Sequence, residues 1–482
     1  MFAVTVLLSC THADPSPDPA SPTAQTGTPS TSTPTTTADP FAAQPDPASG
    51  LTDVSADLDA LLEHGDLVGA CDRWRAAPDD RQLELLCGKS MFFYEGFDTL
   101  GIPAVLFDFL FQHFPDELGP GYSELGLVVH PNSPEGRPIG FAPGTPLGSA
   151  DTLALTCAAC HFGQLPDGRY AVGAPNHDYQ YGRHMLAITL APMAASPGFQ
   201  EADHHPDAIA AVRPLLDRFD ADPGLALQLG LAMLPLLGDL GDAPALTWDQ
   251  EGQYASWKPG TMDFMITPLP LDDGVHTVSK ILPLWGIPDA AEEQAAGMPN
   301  AMLAWTGAAP SLDAFLQGFV AVGGGEHPWT EDDLAPLREY ILSLRPPSPP
   351  PVDADAVAHG EQVFWDAGCG DCHQGPRGSG LQVYDFDEIG TDDALRDWGD
   401  GPTCCDFEGT VLTHGVKSPR LVGLWAQARF LHNGSVDTLQ ALLCEPDRPT
   451  VDTPVLSDDG HRYGCDLPAS DRQDLVSYLS AH

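Results

Sequence analysis

The chain has 482 residues, with 68 acidic against 21 basic side chains and a formal net charge of −47. Such a surface repels nucleic acid and anionic membranes, so a nucleic-acid-binding function is excluded, while a basic redox partner would be steered toward it. The same excess of acid would also serve solubility or life in a salty habitat.

Residues 2–8 are apolar, and Leu7-Leu8-Ser9-Cys10 reads as a lipobox ending in a lipidated cysteine. The apolar stretch is short and has no basic residue before it, which points to a start further upstream. The expectation is an exported protein, periplasmic or held at the outer membrane through Cys10, with no membrane contact beyond that lipid anchor. Residues 11–50 are rich in Pro, Thr, Ser and Asp and cannot bury a core, so they read as a disordered tether. No later stretch of about 20 apolar residues offers a membrane span.

A large first unit is expected over residues 51–345. Its apolar run Ile102–Phe114 predicts a helix, and Leu225–Leu237 predicts another. Thr330 followed by acidic residues and helically spaced apolar ones predicts a capped helix to Leu344. A stiff spacer, Pro346-Pro-Ser-Pro-Pro-Pro351, precedes a compact second unit over 352–482. That unit opens with a helix from about Ala354 to Trp365 and closes with a second over Ser470–Leu479.

Each unit carries one Cys-x-x-Cys-His motif: Cys157-Ala-Ala-Cys160-His161 and Cys369-Gly-Asp-Cys372-His373. Two thiols three positions apart on one helical turn can each form a thioether to a haem vinyl group, and the histidine then lies under the iron. Two such motifs predict two covalently bound haem c groups, with His161 and His373 as proximal ligands. The order of helix, motif, loops and closing helix is the minimal cytochrome c plan. The predicted fold class is therefore mainly α: two cytochrome c-like domains, the N-terminal one enlarged by extra helices and long loops. Of the 11 cysteines, the lipobox takes one and the motifs four. The remaining six, in an exported protein, suggest disulfides. Cys71 pairs most readily with Cys87, whereas Cys404, Cys405, Cys444 and Cys465 leave their connectivity open.

The sixth iron positions decide between chemistry and electron transfer. No methionine follows Met302, so the second haem must draw on His414, His432, His461, Tyr463 or water. For the first haem His177, His184, Met185 and Met193 follow the motif, and an open site is the alternative. Trp285 lies between the motifs in sequence and could relay electrons.

Ser418-Pro-Arg-Leu-Val-Gly-Leu-Trp425 and Phe430-Leu-His-Asn-Gly-Ser-Val-Asp-Thr-Leu439 resemble a segment of the bacterial di-haem cytochrome c peroxidase superfamily. That group includes the methylamine dehydrogenase maturation enzyme and the haem-containing rubber oxygenases. Thr156–His161, Ile389-Gly-Thr-Asp392 and Gly460-His-Arg-Tyr-Gly464 lean toward the rubber-oxygenase-like branch. The resemblance implies His461 as sixth ligand of the second haem, with His432 organising the region between haems and standing as runner-up ligand. It implies Trp285 as the inter-haem tryptophan and the first haem as the reactive one. His177 or His184 would then occupy that site or assist acid–base chemistry there. Arg429 replaces the usual proline where peroxidase relatives bind calcium, which argues against calcium here.

The leading expectation is an oxidoreductase whose C-terminal haem relays electrons to an N-terminal haem that reduces hydrogen peroxide. Its donor would be a small, basic redox protein or a quinol-linked source. One alternative is a pure electron carrier with both irons six-coordinate. The other is an oxygenase using dioxygen on an apolar substrate.

Overall fold

The computed structural model describes most of residues 53–182, then 184, 257–262, 278–288, 303–322, 329–396 and 413–482, with short gaps inside these ranges and scattered positions over 213–227. The anchor at Cys10, the tether, Met185, Met193, Cys404, Cys405 and nearly all of Leu225–Leu237 lie outside the described residues.

Two helix crossings organise the described chain. In the first, the helix Arg81–Tyr94 begins at Asp80, whose side chain accepts the Gln82 and Leu83 N–H groups. It packs against Glu331–Ser343, which starts in a capping box between Thr330 and Asp333. The axes approach at Gly88, where an added Cβ would stand 2.1 Å from the Pro336 carbonyl oxygen and 2.5 Å from the Tyr340 Cβ. Only a residue without a side chain permits that approach. In the second crossing, Ala354–Asp366, capped by Asp353, packs against Ala469–Ser480. Gly360 is the contact, its notional Cβ 2.0 Å from the Asp474 carbonyl oxygen and 2.8 Å from the Tyr478 Cβ. An aromatic pair completes each crossing one helical turn on: Phe92 with Tyr340 at 5.9 Å, and Phe364 with Tyr478 at 5.5 Å.

The mainly α expectation needs correction, because the described chain is only partly helical. Five small antiparallel sheets accompany the helices. Thr152–Leu155 is the middle strand of Ile102–Pro103, Thr152–Leu155 and Phe141–Pro143. It is buried at every position, so it shows none of the apolar–polar alternation by which a half-buried strand is read. The Ile102–Phe114 run also divides: Ile102 and Pro103 pair with Leu153 and Thr152, and the helix spans Ala104–His113. A residue before proline is held extended, which favours the strand at Ile102.

The larger apolar core draws on Phe92, Phe93, Phe162, Trp285 and Tyr340, and also on Val422 and Ala426 from beyond the proline spacer. A second core around Phe364, Phe430 and Leu475 lies within the second unit. Contacts therefore cross the expected boundary at 346–351, and Pro346 itself packs beside Gly423. Disulfides join Cys71 to Cys87, as expected, and Cys444 to Cys465. Among the described residues no helix is long and apolar enough to cross a membrane.

A cavity between the two Cys-x-x-Cys-His motifs

The first motif forms the short helix Cys157–His161 between two strands, Thr152–Leu155 and Phe162–Gln164. A five-residue helix leaves its last carbonyls without partners, and the following loop supplies them. Gly173 N–H donates to the His161 carbonyl at 2.8 Å, Asn176 N–H to that of Cys160 at 2.7 Å, and the Asn176 side chain to that of Ala159 at 3.0 Å. The second motif follows the helix Ala354–Asp366 through Gly368, which takes a left-handed φ of 76° to turn the chain into the Cys369–Asp371 turn. All four motif cysteines are free of disulfides, as thioether formation requires.

One cavity of about 570 Å³ is lined by His161 of the first motif, whose Cys157 and Cys160 lie off its wall, and by Cys369, Cys372, His373 and His461. The residues around the second motif fit a haem iron. His373 Nδ1 lies 2.9 Å from the Gly378 carbonyl. A carbonyl only accepts, so Nδ1 carries the proton and Nε2 keeps its lone pair for a metal. The His373 and His461 ring centroids are 6.3 Å apart. Two imidazoles sharing one metal through bonds of about 2 Å each stand at this separation. Burial pushes His461 down to about 4, with His373 and Arg448 adding to the effect, and it lowers His373 as well. Both rings are thus neutral, the ligating form. His161 is pushed down to about 4 by the same cause.

The loop bearing His461 is heavily fastened. His461 has a left-handed φ of 47°, a strained choice for a residue with a side chain. Arg448 donates to the carbonyls of Ala441, Leu442, Asp458, Gly460 and His461. The Cys444–Cys465 disulfide closes the segment. Gly460 lies so close to Thr391 that a Cβ would come 2.5 Å from its hydroxyl.

The other expected residues are placed differently. His432 lines the cavity, but its Nε2 stands 3.0 Å from Asp392 Oδ1 and its ring meets Trp305 edge-on at 6.4 Å. Asn433 also donates to Asp392, at 3.3 Å. The segments 389–392, 430–433 and 460–464 therefore meet in one wall. His414 is exposed and bonded to the Arg396 carbonyl. Tyr463 lines the cavity next to His461, its ring 5.7 Å away.

His177 and His184, expected on the distal side of the first haem, do not line this cavity. His177 Nε2 accepts the Ala428 N–H at 3.0 Å, and burial pushes the ring down to about 3 with Lys280 and Arg429 adding repulsion. His184 is fully buried among Phe107, Phe141, Tyr179 and Tyr181, with Nδ1 2.6 Å from the Tyr179 hydroxyl. Burial holds it near 3. Trp285 also lies off the wall: it is fully buried, donates to the Val172 carbonyl at 2.9 Å, and packs against Gly173 and Gly423. The tryptophan on the wall is Trp305, whose indole donates to the Lys280 carbonyl at 3.2 Å. No motif in the sequence marks Trp305. Lys280 and Lys417, also on the wall, could have been noticed because the chain has only four lysines.

Residues 415–452 match the family described as RoxA-like, cytochrome c-like. Over that segment the chain carries a RoxA-like cytochrome c domain, and a domain of this kind implies covalently bound haem c. No curated protein matches the chain. Among solved structures, a chain of Kuenenia stuttgartiensis hydrazine synthase, studied under 20 bar of xenon, is 19% identical with a TM-score of 0.31. The likeness covers 48% of this chain and 78% of that one, and is too slight to bear on fold or function.

Proposed function

We propose an exported di-haem oxidoreductase in which an electron port at His373 and His461 serves a reactive site at His161. The observation that carries this reading is a cavity lined both by His161 of the first motif and by Cys369, Cys372 and His373 of the second. Haem c bound there would supply electron transfer at the C-terminal site and reduction of peroxide or dioxygen at the N-terminal one. His373 and His461 would both hold the iron of a C-terminal haem, which suits a relay. His161 offers one ligand, and no described histidine besides the ligand pair and His432 shares its cavity. Trp305 lines the same cavity, meeting His432 edge-on and donating to the Lys280 carbonyl. The repeated Gly–Phe–Tyr crossing supports a cytochrome c-like plan in both units.

The cavity lining includes Ile281, Leu303, Ala308 and Phe315. Reduction of peroxide needs a proton donor placed at the O–O bond, and His177 and His184 do not line this cavity. Together with the RoxA-like match, the apolar wall favours a second reading: dioxygen used on an apolar substrate. A small basic donor would meet the acidic surface, and a lipid anchor at Cys10 would hold the protein outside the cytosol.

The test is electron paramagnetic resonance at stepped potentials, with turnover of hydrogen peroxide and oxygen uptake on a polyisoprenoid measured in parallel. One haem low-spin throughout and one high-spin in at least one redox state is expected. Two low-spin haems in every state, with neither turnover, would reduce the protein to an electron carrier.

A further inference from the structure

Three cations line the cavity of a chain whose net charge is −47. Lys280 is 5% exposed, and its ammonium donates to Gln427 Oε1 at 2.8 Å and to the Arg429 carbonyl at 2.7 Å. Lys417 is buried and donates to the Ser379 hydroxyl at 2.5 Å. Arg420 donates to the carbonyls of Trp285 and Pro283 at 3.2 and 2.9 Å. All of these partners are neutral, and among the described residues none of the three cations has a carboxylate partner. The remaining two lysines do: Lys89 meets Asp53 and Lys258 meets Asp437, each at 3.1 Å.

A buried cation without a counter-ion is strongly disfavoured. Burial pushes Lys280 and Lys417 down to about 7 and Arg420 down to about 10, and Arg420 and Arg377 add mutual repulsion to this group. An ammonium has three donors, so Lys280 and Lys417 each keep at least one for a further acceptor. With acids in such excess along the chain, carboxylates could have been placed here and were not. The missing anion therefore comes from outside the polypeptide, and it enters the same cavity that the haem motifs wall.

We infer that Lys280, Lys417 and Arg420 bind the propionate carboxylates of the haem groups held by the two motifs. These residues are positioning residues: they would hold the propionate edges of the haem groups and neutralise their charge. The inference rests on the di-haem reading above.

The experiment uses the full chain carrying haem with ¹³C-labelled propionate carboxyls. Haem per chain is counted first as the pyridine haemochrome, and redox-difference infrared spectra are then recorded. The wild type, Lys280→Met, Lys417→Met and Lys280→Arg are compared. Label-sensitive carboxylate bands that move in both methionine variants and return to the wild-type position in Lys280→Arg are the expected result. Should a methionine variant fail to load haem, Lys417→Gln, which keeps a neutral donor, is expected to move the bands as well. Two haems per chain with bands unmoved in every charge-removing variant overturn the inference alone. A single haem in the wild type overturns the di-haem reading and the inference with it. Bands insensitive to the label but responsive to added acetate would assign the cations to a free carboxylate ligand, and that too overturns it.

Discussion

The two motif-bearing units share a helix crossing and differ in almost everything around it. Gly88 with Phe92 and Tyr340 in the first matches Gly360 with Phe364 and Tyr478 in the second. Beyond that frame, the second unit surrounds its motif with a fastened ligand loop, a disulfide and five carbonyl contacts from one arginine. The first unit spends its extra length on small sheets that grip the motif helix from both ends, while the histidines following it in sequence point elsewhere. The lesson is that the crossing fixes where a motif sits, and the connections between helices fix what faces it. The same crossing can thus carry a motif whose histidine is closed off by a second one, and a motif with no such facing histidine among the described residues.

The largest effect should come from attacking the closed site. His461→Ala removes the ring facing His373 and should convert that haem from low-spin to high-spin, seen in the optical and paramagnetic resonance spectra. His177→Ala and His184→Ala should leave both haem spectra unchanged. If His184→Ala altered the spectrum of the N-terminal haem, the contrast drawn between the two sites would be wrong.

The shared crossing can be broken symmetrically. Gly88→Ala and Gly360→Ala each force a methyl group against a backbone carbonyl, at 2.1 and 2.0 Å respectively. Each should cost about 3 kcal/mol, the upper end of ordinary overpacking, read as a lowered denaturant midpoint. Similar losses at both sites would support one plan used twice. A neutral Gly88→Ala would show that only the second crossing is close-packed.

Smaller effects sharpen the comparison. Arg448→Met strips the donors that hold the His461 loop, so a fraction of the C-terminal haem should become high-spin while the N-terminal haem is unaffected. His177→Ala leaves the half-buried Ala428 N–H without its acceptor, at a cost of roughly 1 kcal/mol, measured by denaturant unfolding and without a spectral change.

Much of this frame was legible in the chain. The helices at 331–343 and 354–366 follow from caps and apolar spacing, and that at 469–480 from apolar spacing alone. Gly88-x-x-x-Phe92 and Gly360-x-x-x-Phe364 form a repeat visible in the sequence, but it gains meaning only once each Tyr is known to lie across it. The distal side of the first site was not legible, because nearness in sequence to a motif says little about which way a loop leaves it. Residues 173–176 are committed to capping the motif helix, and that commitment carries His177 away to Ala428. The cavity wall gathers Lys280, Trp305, Lys417 and His432 from separate segments, and no local pattern joins them.

Charge pairs across the two crossings give the finest distinction. In the first, Arg81 meets Glu339 at 2.6 Å, an ion pair that contains no histidine. In the second, His359 Nδ1 meets Asp474 Oδ2 at 2.7 Å, and that carboxylate raises the histidine above its ordinary value. A group whose folded value is raised adds stability that is fully present below its unfolded value, about 6.5, and lost as pH climbs through the folded one. The second crossing should therefore weaken as pH rises through and beyond about 7, while the first should not respond. Because His359 is exposed, the change will be small. Thermal unfolding of wild type and His359→Gln should differ near pH 5.5 and converge at about pH 8.5. Arg81→Gln should differ from wild type by the same amount at both pH values. A His359→Gln difference that persisted undiminished at high pH would mean that the histidine serves the crossing by packing rather than by charge.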